Sequence, residues 1–303
     1  MENKNKLSGF AKAMIITAVI AVVSLISTIC FTVSIGSDAI NKFFDNPSEY
    51  REALRFGKIS DELSELETYQ ELISKEEKTF TVQSDMLKIE APLADIKVVL
   101  SDTDEIKAVF SQYSYAAGKT SGYTLETDGS TFQIVKNSSD VTKIMPSLIL
   151  AVPKDKIKAI EIKNKTGDIE VDGISVNMLK IDNSVGDIEV KNVTADSTEI
   201  YNKTGDIEAD ENFKCLNSLK IENKVGDINF ALPQDVNFKL SYLTSVGTAD
   251  IEDVNSLKFN ILDSTAVTKA SGTVESKNQD GTKASYSLTV QVGDIDLSSQ
   301  TDF

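Results

Sequence analysis

The chain has 303 residues, a formal net charge of −16, 41 % hydrophobic and 26 % charged residues, and neither His nor Trp. This is globular composition, enough for one large or two modest domains. The lack of His excludes Ser-His-Asp and Cys-His nucleophile systems and His-bearing zinc sites. The acidic balance argues against nucleic-acid binding, which needs cations on phosphate.

Charge changes along the chain. Lys4, Lys6 and Lys12 against Glu2 give residues 1–35 a net of +2, so the remainder carries −18 against the whole chain's −16. From Ala13 to Ile35 no residue is charged. A helix of that length spans roughly 34 Å, enough for a bilayer core of about 30 Å. The predicted order is a cytoplasmic N-terminus over 1–12 and a transmembrane helix over 13–35. The flanking lysines place the acidic body outside. A cleaved signal peptide is the competing reading, but its apolar region is normally shorter and ends in small residues. Cys30 lies inside the apolar run, so it cannot reach Cys215 in an exported domain, and no structural disulfide is expected.

Residues 36–78 read as a short helical stalk. Asn46 is a candidate N-cap with Pro47 at the first helical position, and Gly57 can end that helix. A second helix is predicted from near Ser60, with Ile59, Leu63, Leu66, Leu72 and Ile73 at an approximate 3-4 spacing.

Residues 79–303 read as one β-strand-repeat domain. Its first part, to about residue 150, contains strands over Lys78–Val82, Ile89–Leu100 and Glu105–Tyr115. A hairpin is predicted at Asp128-Gly129. This part is expected to begin a solenoid and to cover its open end with an antiparallel element.

The repeats carry most of the information. Ile162–Val171, Ile181–Val190, Ile200–Ala209 and Ile221–Phe230 each contain Asn-x-x-Gly-Asp-Ile. Their glycines are Gly167, Gly186, Gly205 and Gly226, at steps of 19, 19 and 21. Weaker copies are expected at Leu288–Leu297 with Gly293, at Tyr242 with Gly247, at Val267–Glu275 with Gly272, and at Ile89–Val98 with Ala94-Asp95-Ile96. Alternation in Ile169-Glu170-Val171 marks a strand with one buried face, and Asn-x-x-Gly-Asp is turn chemistry. One such strand buries too little alone. Stacked at about 4.8 Å, the copies build a parallel β-solenoid of roughly 20-residue rungs. The predicted fold class is therefore mainly β, a parallel β-solenoid behind a transmembrane helix and a short helical stalk.

Stacking turns each motif position into a ladder. Asn164, Asn183, Asn202 and Asn223 are predicted to form an amide ladder that satisfies buried polar groups. Asp168, Asp187, Asp206 and Asp227 form a carboxylate ladder. Neighbouring charges about 4.8 Å apart repel by roughly 0.9 kcal/mol in water. Backbone amides with Lys165, Lys203 and Lys224 can offset this, and so can a bound Ca²⁺. The dense Asp/Gly pattern of calcium-binding nonapeptide repeats is missing.

The repeated Asn-x-x-Gly-Asp-Ile-Glu-Val string behind an N-terminal apolar helix resembles a bacterial adhesin-like family with β-strand repeats. Its members include LiaG-like, membrane-anchored cell-envelope proteins of Gram-positive bacteria. The resemblance covers about residues 79–300, and departs from the pattern at Ala94, Thr248 and Thr273. It implies a β-repeat domain outside the membrane, no cofactor and no established catalytic residues.

The leading functional expectation is a non-enzymatic envelope protein for adhesion, wall contact or stress sensing, with a cell-wall polymer or membrane protein as partner and no nucleic acid. A second is a regulatory partner of another membrane protein. A third is a carbohydrate-active β-helix enzyme using a carboxylate pair such as Asp187 and Asp206. Against the enzyme stands the recurrence of Gly-Asp, since a catalytic pair should be singular.

Overall fold

The structure is a computed structural model, and it describes residues 71–115, 121–137, 143–210, 212–251, 259–266, 269–276 and 283–299. The expected cytoplasmic segment 1–12, transmembrane helix 13–35 and residues 36–70 of the stalk lie outside the described residues. Among the described residues no helix is long and apolar enough to cross a membrane.

The chain begins with β1 (Glu71–Phe80), β2 (Met86–Ala91), β3 (Asp95–Ser101), β4 (Ile106–Ser114), β5 (Tyr123–Thr127), β6 (Thr131–Lys136) and β7 (Ile144–Pro153). Long and short strands then alternate: β8 (Ala159–Thr166), β9 (Ile169–Asp172), β10 (Ser175–Val185), β11 (Ile188–Lys191), β12 (Thr194–Thr204), β13 (Ile207–Asp210), β14 (Lys214–Val225) and β15 (Ile228–Leu232). It closes with β16 (Phe238–Val246), β17 (Ala249–Ile251), β18 (Phe259–Ala266), β19 (Lys269–Ser276), β20 (Ala284–Val292) and β21 (Ile295–Ser299).

Each rung gives one strand to each of two sheets. One sheet runs β1-β4-β7-β3-β9-β11-β13-β15-β21-β17, and the other β18-β19-β16-β20-β14-β12-β10-β8-β2-β6-β5. Motif pairs with motif in parallel: Asn164 with Asn183, Asn183 with Asn202, and Asn202 with Asn223. The weak copy at Ile89 is a true rung, since Ile89 pairs with Ile162 and Ile96 with Ile169. So is the copy at Leu288, which pairs with Ile221, while Ile295 pairs with Ile228.

Alternation sends Ile169, Val171, Ile188 and Val190 into one continuous core, while Glu170 and Glu189 face outward. Columns of Ile162, Ile181, Ile200 and Ile221 supply the other wall. Each such side chain contributes about 1.5–3 kcal/mol when buried, so the stack is held by repetition rather than by any single contact.

The 21-residue step between Gly205 and Gly226 has two local sources. The register shifts by one residue between Lys191–Asp210 and Thr194–Lys214, at the corner. It shifts by another where Ala195 and Ser197 face Cys215 and Ser218. The second is a bulge that leaves Leu216 exposed and turns the Cys215 thiol toward the Ser218 carbonyl, 3.0 Å away.

Two expectations are corrected. Residues 71–78, assigned to the helical stalk, are strand: β1 pairs antiparallel with β4 from Glu71–Ser114 to Phe80–Ile106. The 3-4 spacing already lapses between Leu66 and Leu72, and Ile73 and Phe80 pack on the core instead. The Val267–Glu275 copy is not a rung: Gly272 lies mid-strand in β19, which runs antiparallel to β16 and β18. The stacking order also departs from chain order. The β20/β21 rung sits between β14/β15 and β16/β17. At the other end β6 and β7 stack parallel on β2 and β3 although they follow them in the chain.

The predicted hairpin joins β5 and β6. Asp128 accepts from the amides of Ser130 and Thr131 at 2.8 and 2.7 Å, and these bonds hold its carboxyl down at about 2.

Candidate functional site: the Gly-Asp corner

The corner is a closed hydrogen-bond system between rungs. Gly186 has φ +130°, a conformation that suits glycine, and a Cβ there would run into the Gly167 carbonyl of the preceding rung. Gly167, Gly205, Gly226 and Gly293 repeat this packing. The approach of backbones is what lets each Asn reach across. Nδ2 of Asn183 donates to the Gly167 carbonyl at 3.2 Å, that of Asn202 to Gly186 at 2.9 Å, and that of Asn223 to Gly205 at 2.8 Å. Asn164 reaches the Ala94 carbonyl at 2.9 Å. The amide ladder thus satisfies carbonyls, but its own Oδ1 atoms at Asn164, Asn183, Asn202 and Asn223 are buried without a partner.

The carboxylates form a second ladder, exposed at Asp168, Asp187 and Asp206 and half-buried at Asp227 and Asp294. Asp168 Oδ1 accepts the amide of Asp187, Asp187 that of Asp206, and Asp206 that of Asp227, each at 2.8 Å. Asp227 accepts the amide of Asp294 at 2.7 Å. Asp294 accepts both the amide and the hydroxyl of Thr248, at 2.6 and 3.0 Å. The neutralising donor is therefore the next rung's backbone. Lys224 instead lies over the Tyr201 ring, 5.6 Å from its centroid. Asp187 and Asp206 do come together on adjacent rungs, joined through an amide within the ladder. Among the described residues no group of three or more His, Cys, Asp or Glu side chains is placed to hold a metal ion.

The irregular positions now have reasons. Ala94 stands where the Gly-Asp column begins, and Asp95 accepts the Asp168 amide at 3.1 Å. Burial pushes the Asp95 carboxyl up, and the neighbouring Asp168 charge adds to this. Thr248 stands where the column ends. A last rung has no following amide to receive, so a donor replaces the carboxylate. Thr244 takes the Asn place there and donates to the Gly293 carbonyl at 2.7 Å.

Residues 84–303 match the family model described as Toastrack DUF4097. The chain belongs to this Toastrack family. Among solved structures it is similar to a "putative cell adhesion protein" from Clostridium sporogenes, at 13 % identity and TM-score 0.44, over 75 % of this chain and 100 % of that one. It is also similar to a "putative adhesin" from Bacteroides fragilis, at 13 % identity and TM-score 0.40, over 74 % of this chain and 97 % of that one. No curated protein matches.

The Toastrack domain has a second corner, outside the Asn-x-x-Gly-Asp-Ile string. It is built on positive φ at Gly173 (+73°), Asn192 (+53°) and Asn212 (+65°). Asn192 donates to Asp172 at 3.0 Å, and Asn212 to Asn192 at 3.2 Å. Ile174, Val193 and Phe213 follow directly and are buried. The signal is a Gly or Asn before an apolar residue, six or seven positions after Gly167, Gly186 and Gly205.

The outer faces differ in charge. On the long-strand sheet Lys88, Glu161, Lys180, Glu199 and Lys220 alternate in register, with a Lys180–Glu199 ion pair at 3.1 Å. On the short-strand sheet Glu170, Glu189 and Glu208 are in register, with Lys97 and Lys191 both bound to Glu170, at 2.7 and 3.1 Å. Burial pushes Glu170 up, but these two lysines outweigh it and hold the carboxyl below its usual value. A cavity beside Leu100, Val152 and Gly173 holds only about 30 Å³. That is far below the size of a small-molecule site.

Proposed function

We propose that this Toastrack protein is a non-enzymatic, single-pass membrane protein whose β-domain lies outside the membrane and makes contact with the cell envelope, in adhesion or in envelope stress. The observation that carries the reading is the fate of the repeated carboxylates: each gives one oxygen to the amide of the next rung, so the motif is spent on stacking. What remains is two long ridged faces, one with alternating charge and one acidic, suited to an extended polymer or another protein. The uncharged run over 13–35 and the lysines on its N-terminal flank support the orientation.

The test is capture by the full, detergent-solubilised chain. Purified cell-wall polymer and envelope membrane proteins are offered separately at physiological salt. Saturable binding to either supports envelope contact, and the arm that binds separates wall adhesion from partnership with a membrane protein. Failure to bind any envelope component sinks the proposal.

A further inference from the structure

The β20/β21 rung enters the stack out of chain order. β15 ends at Leu232 and the next rung in the chain, β16/β17, leaves a gap of one rung that β20 and β21 fill by parallel pairing on both sides. The bonds across the two seams are the general ones of the solenoid: the Gly226 amide to Val292, the Gly293 amide to Val246, and the Asp227–Asp294–Thr248 ladder. Nothing in them depends on which copy of the chain supplies the rung.

The gap is nevertheless specific for this rung. The bulge at Cys215 frees its carbonyl, and the Tyr286 hydroxyl donates to it. The Tyr286 ring stacks on Phe238 at 5.0 Å and meets Phe230 edge-on at 6.0 Å. Tyr286, Leu288, Val290, Ile295 and Leu297 are all buried in the gap. Left empty, it would expose that apolar lining together with two unpaired strand edges, the combination that invites strand addition.

We propose that β20/β21 is a donor rung, exchangeable between two copies of this chain. The receiving gap is built by residues 213–251, and the chain enters the donor through the stretch between Ser276 and Ala284. Reciprocal exchange gives a closed dimer with every native contact remade in trans. The order of the last two rungs is set by Thr248, which needs the Asp294 carboxylate beneath it, and by β19, which covers the far edge of β16.

The experiment uses full chains carrying Cys30→Ser, with buried Cys215 retained. Ser241 and Ser287 are register partners across the β16–β20 seam. At about 4.8 Å between parallel strands they are within disulfide reach. A Ser241→Cys chain and a Ser287→Cys chain are unfolded together, refolded and oxidised. Ser175→Cys and Thr194→Cys chains, partners across β10–β12, serve as the non-exchanging seam. The expected result is several-fold more covalent heterodimer at the β16–β20 seam, falling several-fold when the donor chain also carries Tyr286→Ala. A chain carrying both Ser241→Cys and Ser287→Cys reports folding by closing within itself. If it closes but mixed single variants give no more heterodimer than the β10–β12 seam, exchange is wrong. If it fails to close, the inserted position of the rung is wrong and the proposal falls with it.

Discussion

The two corners of a rung turn the chain with different chemistry. At the Gly-Asp corner the backbones of successive rungs approach so closely that no side chain fits, and Asn and Asp side chains reach along the stack to bind the neighbouring backbone. At the other corner Asn192 and Asn212 are tolerated in left-handed conformations, and their side chains bond one another's tips. The first corner sets the spacing between rungs. The second accepts an inserted residue, as the register shift before Lys214 shows.

Alanine at each corner should separate them most sharply. Gly186→Ala combines a conformation unsuited to L-residues with a collision against a backbone carbonyl that cannot move without unstacking. The expected loss is roughly 3 kcal/mol or more. Asn192→Ala keeps an open corner and should cost only about 1–2 kcal/mol, the usual penalty of left-handed backbone. Asn192→Gly should recover most of that loss. Denaturant melts of the three variants decide it, and equal losses for Gly186→Ala and Asn192→Ala would erase the distinction.

The next effect in size tests what the buried amides contribute. Asn183 donates to Gly167 and Gly186, yet Asn164 also reaches Gly167 at 3.2 Å and Asn202 reaches Gly186. Each carbonyl therefore keeps a donor when one Asn is lost, and the unpartnered Oδ1 of Asn183 disappears with it. Asn183→Ala should cost about 1–2 kcal/mol, mostly from lost packing and one net bond. Asn183→Asp should cost more, because it buries a charge against two carbonyls. An Asp variant as stable as wild type would show that the buried site is reached by water or a cation.

The difference between the corners also explains what could be read in advance. Gly, Asn and Asp at the close corner answer to steric and hydrogen-bond demands with few solutions, so the string repeats and even Ala94-Asp95-Ile96 was recognisable as a rung. The open corner admits Gly173, Asn192 or Asn212, and so left no string. Gly272 fitted the template by spacing alone, whereas the strand containing it caps β16. The stacking order was hidden for a physical reason: every rung offers the same edge, so pattern alone cannot say which edge pairs with which. Thr248 was the available clue, since a rung without the carboxylate suits the end of the ladder. β1 is hidden because the 3-4 spacing lapses only at Leu72, beyond which pairing with β4 decides the conformation.

The smallest effect bears on whether charge matters at the close corner at all. Asp187 receives the Asp206 amide through Oδ1 and faces solvent, with carboxylates above and below at the strand spacing. Asn in its place keeps the acceptor oxygen. It weakens the bond, since a charged acceptor is stronger, but removes repulsion of roughly 0.9 kcal/mol per neighbour in water. These oppose each other, so Asp187→Asn should lie within about 0.5 kcal/mol of wild type at low salt, with the gap narrowing as salt screens the repulsion. Asp187→Ala, which leaves the Asp206 amide without its acceptor, should cost about 1 kcal/mol. Thermal melts with and without millimolar Ca²⁺ separate the two origins of stability. If Asp187→Asn loses as much as Asp187→Ala, and wild type alone is stabilised by Ca²⁺, then the ladder is held by a cation rather than by the next rung's amide. If the Asn variant matches wild type in both conditions, the carboxylate serves as an acceptor whose charge is incidental to stacking and is left to act only on what approaches the acidic edge from outside.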